Sequence, residues 1–130
     1  MLKDFVIADA VGIQMQGKYI DLHNEFDLMQ IRLSPQVHVL ELEFAASRPN
    51  ASPTKFVIQF VEVDWLQISP CALKSGADIV ELGYKEPLDN DHDWLMSEEQ
   101  ASPEAHLFLR LSEDEFIRLH AKFAKVIVSS

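Results

Sequence analysis

The chain has 130 residues, 48% of them hydrophobic and only four of them glycine, which fits one globular domain, residues 1–130, and excludes a disordered or fibrous protein. Its formal net charge of −10 argues against binding to nucleic acid, because phosphate backbones require clustered Lys and Arg. No apolar run approaches the roughly 20 residues of a membrane span, and Cys71 is solitary, so we expect no membrane contact, no disulfide and a cytoplasmic location.

Alternation of residue types predicts three strands in the first half of the chain. Residues 26–33 alternate as a half-buried strand does, with Met29, Ile31 and Leu33 on one face. A turn at residues 34–36 leads into residues 37–44, so the two runs predict a hairpin. After a proline-containing loop, residues 55–68 begin with apolar residues on both faces, which is typical of a strand at the centre of a sandwich or barrel wall.

The second half begins with residues 69–76, which predict a connection with one helical turn, followed by a short strand at residues 78–84. Residues 105–111 resume strand alternation, with a clean apolar face formed by Leu107, Leu109 and Leu111. Between these two strands the pattern predicts an acidic loop that runs to about Pro103.

The C-terminal residues 113–128 satisfy two patterns. Ser112 and Glu115 have the spacing of a helix capping box, and apolar residues recur at helical intervals from Phe116 onward. Strict alternation and the β-branched run at residues 126–128 favour a strand instead, with residues 112–115 as the turn before it. The predicted fold is therefore mainly β, an antiparallel sandwich or partly open barrel, with a C-terminal helix and an α+β fold as the alternative.

The densest charge lies in residues 78–104, here called the acidic segment, where nine carboxylates and a single lysine, Lys85, give a net charge of −8. Like charges held together reduce stability unless a cation, a basic partner or water offsets them. The acidic segment is therefore either a solvated surface, which is the commoner role of such charge, or a site that binds a basic protein. The residues predicted to contact such a partner are Glu86, Asp89, Asp91, His92, Asp93 and Trp94.

Metal binding has weak support in the same stretch. Asp89, Asp91 and Asp93 imitate the first half of a calcium-binding EF-hand loop. Position six of that loop should be Gly but is Trp94, and position twelve should be Glu but is Gln100. These aspartates are thus only a weak calcium candidate, and we predict no cofactor.

Three side chains in or near the acidic segment carry further expectations. The neighbouring acids should favour the cationic form of His92, so that it titrates near neutral pH. Trp94 either packs its indole onto the core or contacts a partner, and the sequence favours the first. Trp65 is expected in the core because it lies within the strand at residues 55–68.

From Glu25 to Ile68 the chain reads Phe-Asp-Leu-x-x-Ile-x-Leu, a turn, Val-x-Val-Leu-x-Leu-x-Phe, a loop and Phe-Val-Ile-x-Phe-Val-x-Val-x-Trp-Leu. This order resembles the opening strands of small bacterial β domains grouped with toxin-immunity proteins and families of unknown function. The resemblance implies a stoichiometric binding protein without a cofactor, and it carries over no functional residue.

No nucleophile elbow, P-loop or dinucleotide loop is present, so no catalytic residue is predicted and a non-enzymatic binding module, immunity-like or accessory, is the first hypothesis. The second is a small-molecule binder or cryptic enzyme with a cavity inside the β fold, lined by inward residues of the strands at 37–44 and 55–68. Homodimerisation through edge strands is a further option.

Overall fold

The computed structural model describes residues 1–73 and 77–129. Within them the chain forms ten strands and two short 3-10 turns, Pro70–Leu73 and Ser112–Asp114. The strands, in chain order, are β1 (Leu2–Lys3), β2 (Phe5–Ile7), β3 (Gly12–Met15), β4 (Lys18–Asp21), β5 (Phe26–Ser34), β6 (Val39–Ala46), β7 (Lys55–Ile68), β8 (Ile79–Lys85), β9 (His106–Leu111) and β10 (Phe116–Ser129).

The large sheet has the strand order β5-β6-β7-β10-β9-β8, and every pair along this path is antiparallel. The short β1 adds a parallel pairing to β10. The sheet curls into a half-barrel, and β2, β3 and β4 form a smaller antiparallel sheet. The mainly β prediction is therefore confirmed, and the partly open barrel describes the architecture better than a two-sheet sandwich.

The C-terminal alternative is resolved in favour of a strand. β10 runs for 14 residues and pairs with both β7 and β9. The 3-10 turn at Ser112–Asp114 joins β9 to β10, so the capping-box pattern belongs to a turn between antiparallel strands and the C-terminal helix was wrong. Long-range pairing along both edges of β10 outweighs the local helical spacing.

Most predicted strands are confirmed, and β7 has the predicted bounds. The predicted connection after it contains the 3-10 turn Pro70–Leu73, and its residues 74–76 lie outside the described part. The predicted apolar face of β5 is wrong: Leu28 is buried, whereas Met29 and Leu33 are 39% and 48% exposed. A bulge between Leu28 and Gln30 shifts the register and exchanges the faces.

The sequence patterns predict no element before Phe26, yet β2, β3 and β4 lie there. The β3–β4 hairpin turns at Gln16 and Gly17, which both have positive φ, 48° and 76°. Such a two-residue turn matches the twist of the strands that it joins. Buried side chains of this small sheet, among them Ile13 and Ile20, belong to the same core as the half-barrel.

The core is built from the inner faces of the central strands. Leu40, Leu42 and Phe44 of β6 pack with Phe56, Ile58 and Phe60 of β7, and each of these side chains is at most 2% exposed. The inner faces of these two strands, where the small-molecule hypothesis places a cavity, thus belong to the buried core. In the described part of the chain, no helix is long and apolar enough to cross a membrane.

Candidate functional site

The candidate site lies on the outer face of β8, β9 and β10. Along β9 the side chains of Leu107, Leu109 and Leu111 point into the core, so the residues between them point outward. Phe108 is fully buried although it lies outside the main core cluster, which means that something else covers it. The outward residues form an aromatic and cationic surface: Phe108, Arg110, Phe116 and Arg118.

The acidic segment itself covers this surface. Its residues 86–96, here called the covering loop, leave the end of β8 and fold back over the sheet. The ring of His92 packs against Phe108 and Phe116, with centroid distances of 5.0 and 4.3 Å. Farther along, Met96 pairs with Tyr84 through two backbone hydrogen bonds of 3.0 and 2.8 Å. This pairing also protects the outer edge of β8.

Close approach of the loop to β8 depends on a glycine. A Cβ atom on Gly83 would lie 2.7 Å from the Cβ of Leu95 and 2.8 Å from the carbonyl oxygen of Met96. Both distances are shorter than van der Waals contact, so a larger residue would push the covering loop away from the sheet.

Lys85 anchors the covering loop from below. Its side chain is 2% exposed, and its ammonium group donates to Asp89 and Asp91 at 2.9 Å each, and to the carbonyl oxygen of Asp93 at 2.5 Å. Burial alone would lower the pKa of Lys85, but the hydrogen bonds and charges of Asp89 and Asp91 raise it. The hydrogen bond from Lys85 is the largest influence that lowers the pKa of Asp91.

Two arginines complete the attachment. Arg110 donates to the carbonyl oxygen of His92 and, through Nε, to Glu81 at 3.2 Å. Arg118 is 3% exposed, donates through Nε to Nδ1 of His106 at 2.9 Å, and donates to the carbonyl oxygen of Glu86 at 3.1 Å. Accepting this bond requires an unprotonated Nδ1, and burial followed by the charge of Arg118 lowers the pKa of His106 accordingly.

Other acids of the segment are also engaged within the fold. Glu86 accepts from the hydroxyl group of Ser102 at 2.8 Å. Glu98 accepts from Lys3 at 2.9 Å, from the backbone N–H of Ile7 at 2.8 Å and from the hydroxyl group of Tyr84 at 2.7 Å. Much of the negative charge that indicates a partner in the sequence is thus offset by the protein's own cations and donors.

Of the six residues predicted to contact a partner, the structure gives four an internal role. Asp89 and Asp91 bind Lys85, Glu86 binds Ser102, and His92 packs on the sheet. Asp93 differs, because its carboxylate has no ion pair or hydrogen bond among the described residues. Trp94 differs as well: its side chain is 92% exposed.

The expected packing of Trp94 onto the core is therefore wrong. Its backbone has a φ of 57°, and His92, two residues earlier, takes the place on the sheet that the sequence analysis gave to the indole. Leu88 of the same loop is 94% exposed and was not singled out from the sequence. The covering loop thus presents two large apolar side chains to solvent.

Two further expectations need correction. Trp65 is 39% exposed rather than in the core, and its indole stacks on His106 with the guanidinium of Arg118 5.3 Å from its centre. His92 was expected to favour its cationic form. Instead burial, and then the charges of Arg118, Arg110 and Lys85, lower the pKa of His92, while the smaller influence of Asp91 acts in the opposite direction.

The aspartates that imitate a calcium-binding loop in the sequence bind a lysine in the fold. The ammonium group of Lys85 lies 2.9 Å from Asp89 and from Asp91, so these carboxylates already share a cation. Over residues 1–73 and 77–129, no group of three or more His, Cys, Asp or Glu side chains is placed to hold a metal ion.

A surface groove of about 680 Å³ lies elsewhere, between the β5–β6 turn and the middle of β7 and β10. It contains a close pair formed by Nδ1 of His120 and the carboxylate of Asp64, 2.7 Å apart. A bulge in β7 opposite His120 brings Asp64 to this position. The groove is separate from the covering loop, and none of its lining residues belongs to the acidic segment.

Comparison of the chain with protein-family models, with curated proteins and with solved structures gave no match. The resemblance to toxin-immunity-like domains therefore stays a prediction. What the fold and the site define is a class: a mainly β half-barrel whose outer face is covered by an acidic loop that exposes Leu88 and Trp94.

Proposed function

We propose that this protein is a non-enzymatic protein-binding module that uses the covering loop to bind a basic partner, in an immunity-like or accessory role. The observation that carries the proposal is the exposure of Trp94 and Leu88, 92% and 94%, on a loop whose backbone is fastened to the sheet. Large apolar side chains with this exposure are suited to insertion into a pocket of another protein, and Trp is enriched among binding hot spots.

Attachment of the loop favours binding because it reduces the ordering that association requires. Lys85 binds the carbonyl oxygen of Asp93, directly before Trp94, and Met96 pairs with β8 two residues after it. The backbone on both sides of the indole is therefore fixed before a partner arrives. A Trp side chain presented in this way loses little further conformational entropy on binding.

Charge supports a basic partner. The net charge of −10 attracts a positively charged protein over a distance and speeds its encounter. At short range Asp93, next to the indole, offers a carboxylate that forms no ion pair or hydrogen bond with any described residue. If the partner were a nuclease toxin, such carboxylates would take the positions of nucleic-acid phosphates, and inhibition would occur by occlusion.

Affinity capture from extracts of the source organism tests the proposal. The variants that separate binding from folding are Leu88→Ser with Trp94→Ser, and Asp93→Asn, because these side chains are not needed to hold the loop. Substitutions of Asp89 or Asp91 would also remove the partners of Lys85. Val37→Ser is the matched control, since Val37 is 64% exposed and lies on the β5–β6 turn.

We expect the wild type and the Val37→Ser control to retain the same basic protein, and the double variant to lose it. The Asp93→Asn variant should bind more weakly, and its binding should decrease less when salt is raised, because salt screens exposed charges. Capture of the same proteins by the double variant would show that the covering loop is not the binding site.

A further inference from the structure

His92 is the one residue whose ring fastens the covering loop to the aromatic surface of the sheet. Its ring is half-buried between Phe108 of β9 and Phe116 of β10, and these two phenylalanines stack on each other at 5.4 Å. Its carbonyl oxygen accepts from Arg110. Moving this ring away would therefore open the contact on which the middle of the loop rests.

The charges that face His92 are mostly positive. They come from every strand beneath the loop: Lys85 at the end of β8, Arg110 on β9 and Arg118 on β10. The charge of Asp91 acts on the ring in the opposite direction, but its carboxylate is already bound to Lys85. A protonated ring would thus add a fourth positive charge to a partly desolvated surface.

We propose that His92 is a pH-sensitive latch: its neutral ring holds the covering loop on the sheet, and its protonation releases the loop. This inference rests on the proposed function, because the loop that is released is the one that presents Leu88 and Trp94. Partner binding would then weaken on acidification, since the side chains would lose their fixed positions.

The direction follows from linkage. In the released loop His92 takes up a proton at its ordinary pKa of 6.5, whereas burial and the three cations lower the pKa of His92 in the attached loop. As pH falls below 6.5, the released form binds more protons and becomes favoured. The bond to Lys85 keeps the pKa of Asp91 below its ordinary value of 3.8, so Asp91 stays ionised between pH 7.5 and pH 5.5 and the histidine, not the aspartate, takes up the proton.

Hydrogen exchange on the free protein tests the latch without any partner. Suitable amides are those of Asp89 and Asp93, which donate to the Glu86 carbonyl oxygen and to Asp91 at 3.0 Å each. Protection factors, corrected for the intrinsic effect of pH on exchange, are compared at pH 7.5 and pH 5.5. His92→Phe keeps an aromatic ring that cannot titrate, and His92→Gln is a second variant in case the first does not fold.

In the wild type we expect protection of these amides to fall at least threefold and at most about tenfold between the two pH values, because one group with a pKa of 6.5 in the released loop cannot change the opening equilibrium further over this range. The same fall is expected in His38→Asn, a control that removes an exposed histidine whose φ of 54° asparagine tolerates. Protection in His92→Phe should change less than twofold. Constant protection in the wild type, or an equal fall in His92→Phe, would overturn the latch.

Failure of the latch and failure of the proposed function give different results. Exchange measured without a partner bears only on the latch, so a negative result leaves the binding proposal standing. Conversely, capture that is unaffected by Leu88→Ser with Trp94→Ser removes the binding proposal, although the loop could still be released at low pH.

Discussion

Replacing Lys85 by methionine should free the covering loop without unfolding the half-barrel. Methionine preserves much of the buried aliphatic stem but removes all three hydrogen bonds of the ammonium group, to Asp89, to Asp91 and to the carbonyl oxygen of Asp93. The two carboxylates would then repel each other with no cation between them. The sheet beneath loses only a charge, because Lys85 is not part of the main core.

The expected loss of stability can be reasoned from the exposure of each partner. A hydrogen bond from a charged group contributes about 1.5–3 kcal/mol. The bond from Lys85 to the Asp93 carbonyl oxygen accounts for most of the expected loss of stability, because the Lys85 side chain is 2% exposed. The carboxylate partners are 41% and 59% exposed and regain water when the lysine is lost, so their ion pairs add little. We expect Lys85→Met to lower the free energy of unfolding by about 2 kcal/mol.

Urea denaturation measures this loss, and hydrogen exchange shows where it acts. The amides of Asp89 and Asp93 should lose protection, whereas those in the β7–β10 pairing should keep protection relative to global unfolding. Lys18→Met is the control, since Lys18 is exposed beside the β3–β4 turn, and it should change stability by less than about 0.5 kcal/mol. A Lys85→Met variant as stable as this control, or a uniform rise of exchange across the molecule, would show that Lys85 does not hold the covering loop.

Three further substitutions probe other contacts. Gly83→Ala should lower the free energy of unfolding by about 2 kcal/mol, because the added Cβ would lie 2.7 Å from the Cβ of Leu95. An unchanged midpoint in urea denaturation would mean that the covering loop does not contact β8. Phe56→Ala should cost about 3–5 kcal/mol, since its fully buried ring contacts two other aromatic rings; a loss below 1 kcal/mol would contradict the packed core. Glu98→Gln should cost about 2 kcal/mol at neutral pH. Burial raises the pKa of Glu98, but its hydrogen bonds lower this pKa below the ordinary 4.5. In urea denaturation carried to pH values below 4.5, the wild type should therefore lose the stability that the ionised Glu98 contributes, whereas Glu98→Gln should not. Parallel pH profiles of the two proteins would refute this role of Glu98.

The strands were predictable where the pattern is local and uninterrupted. β7 has its predicted bounds because apolar and β-branched residues recur along most of its length, although a bulge opposite His120 interrupts the alternation. β5 shows the limit of this reasoning: one bulge after Leu28 exchanges the two faces, and no residue type announces it. The small sheet formed by β2, β3 and β4 was not predicted because its strands have three or four residues, too few to show a period of alternation.

The candidate site was only half predictable. Charge density alone points to the acidic segment, but the cations that hold it come from residues far along the chain, such as Arg110 and Arg118. Sequence distance hides such pairs until the sheet brings β8, β9 and β10 together. One signal was present: Phe108 lies among the residues that alternate with Leu107, Leu109 and Leu111, and a large aromatic residue at such a position indicates that this face is covered.

The same fold explains why charge density is a poor guide to which acids meet a partner. Asp89 and Asp91 are bound to Lys85, so replacing them would disturb the loop and change binding even if neither residue touched the partner. Leu88, Asp93 and Trp94 make no comparable attachment, so their replacement would change the surface while leaving the loop in place. The residues that the fold does not need are therefore the ones whose substitution reports on recognition, and a scan of every acid in the segment would mix the two effects.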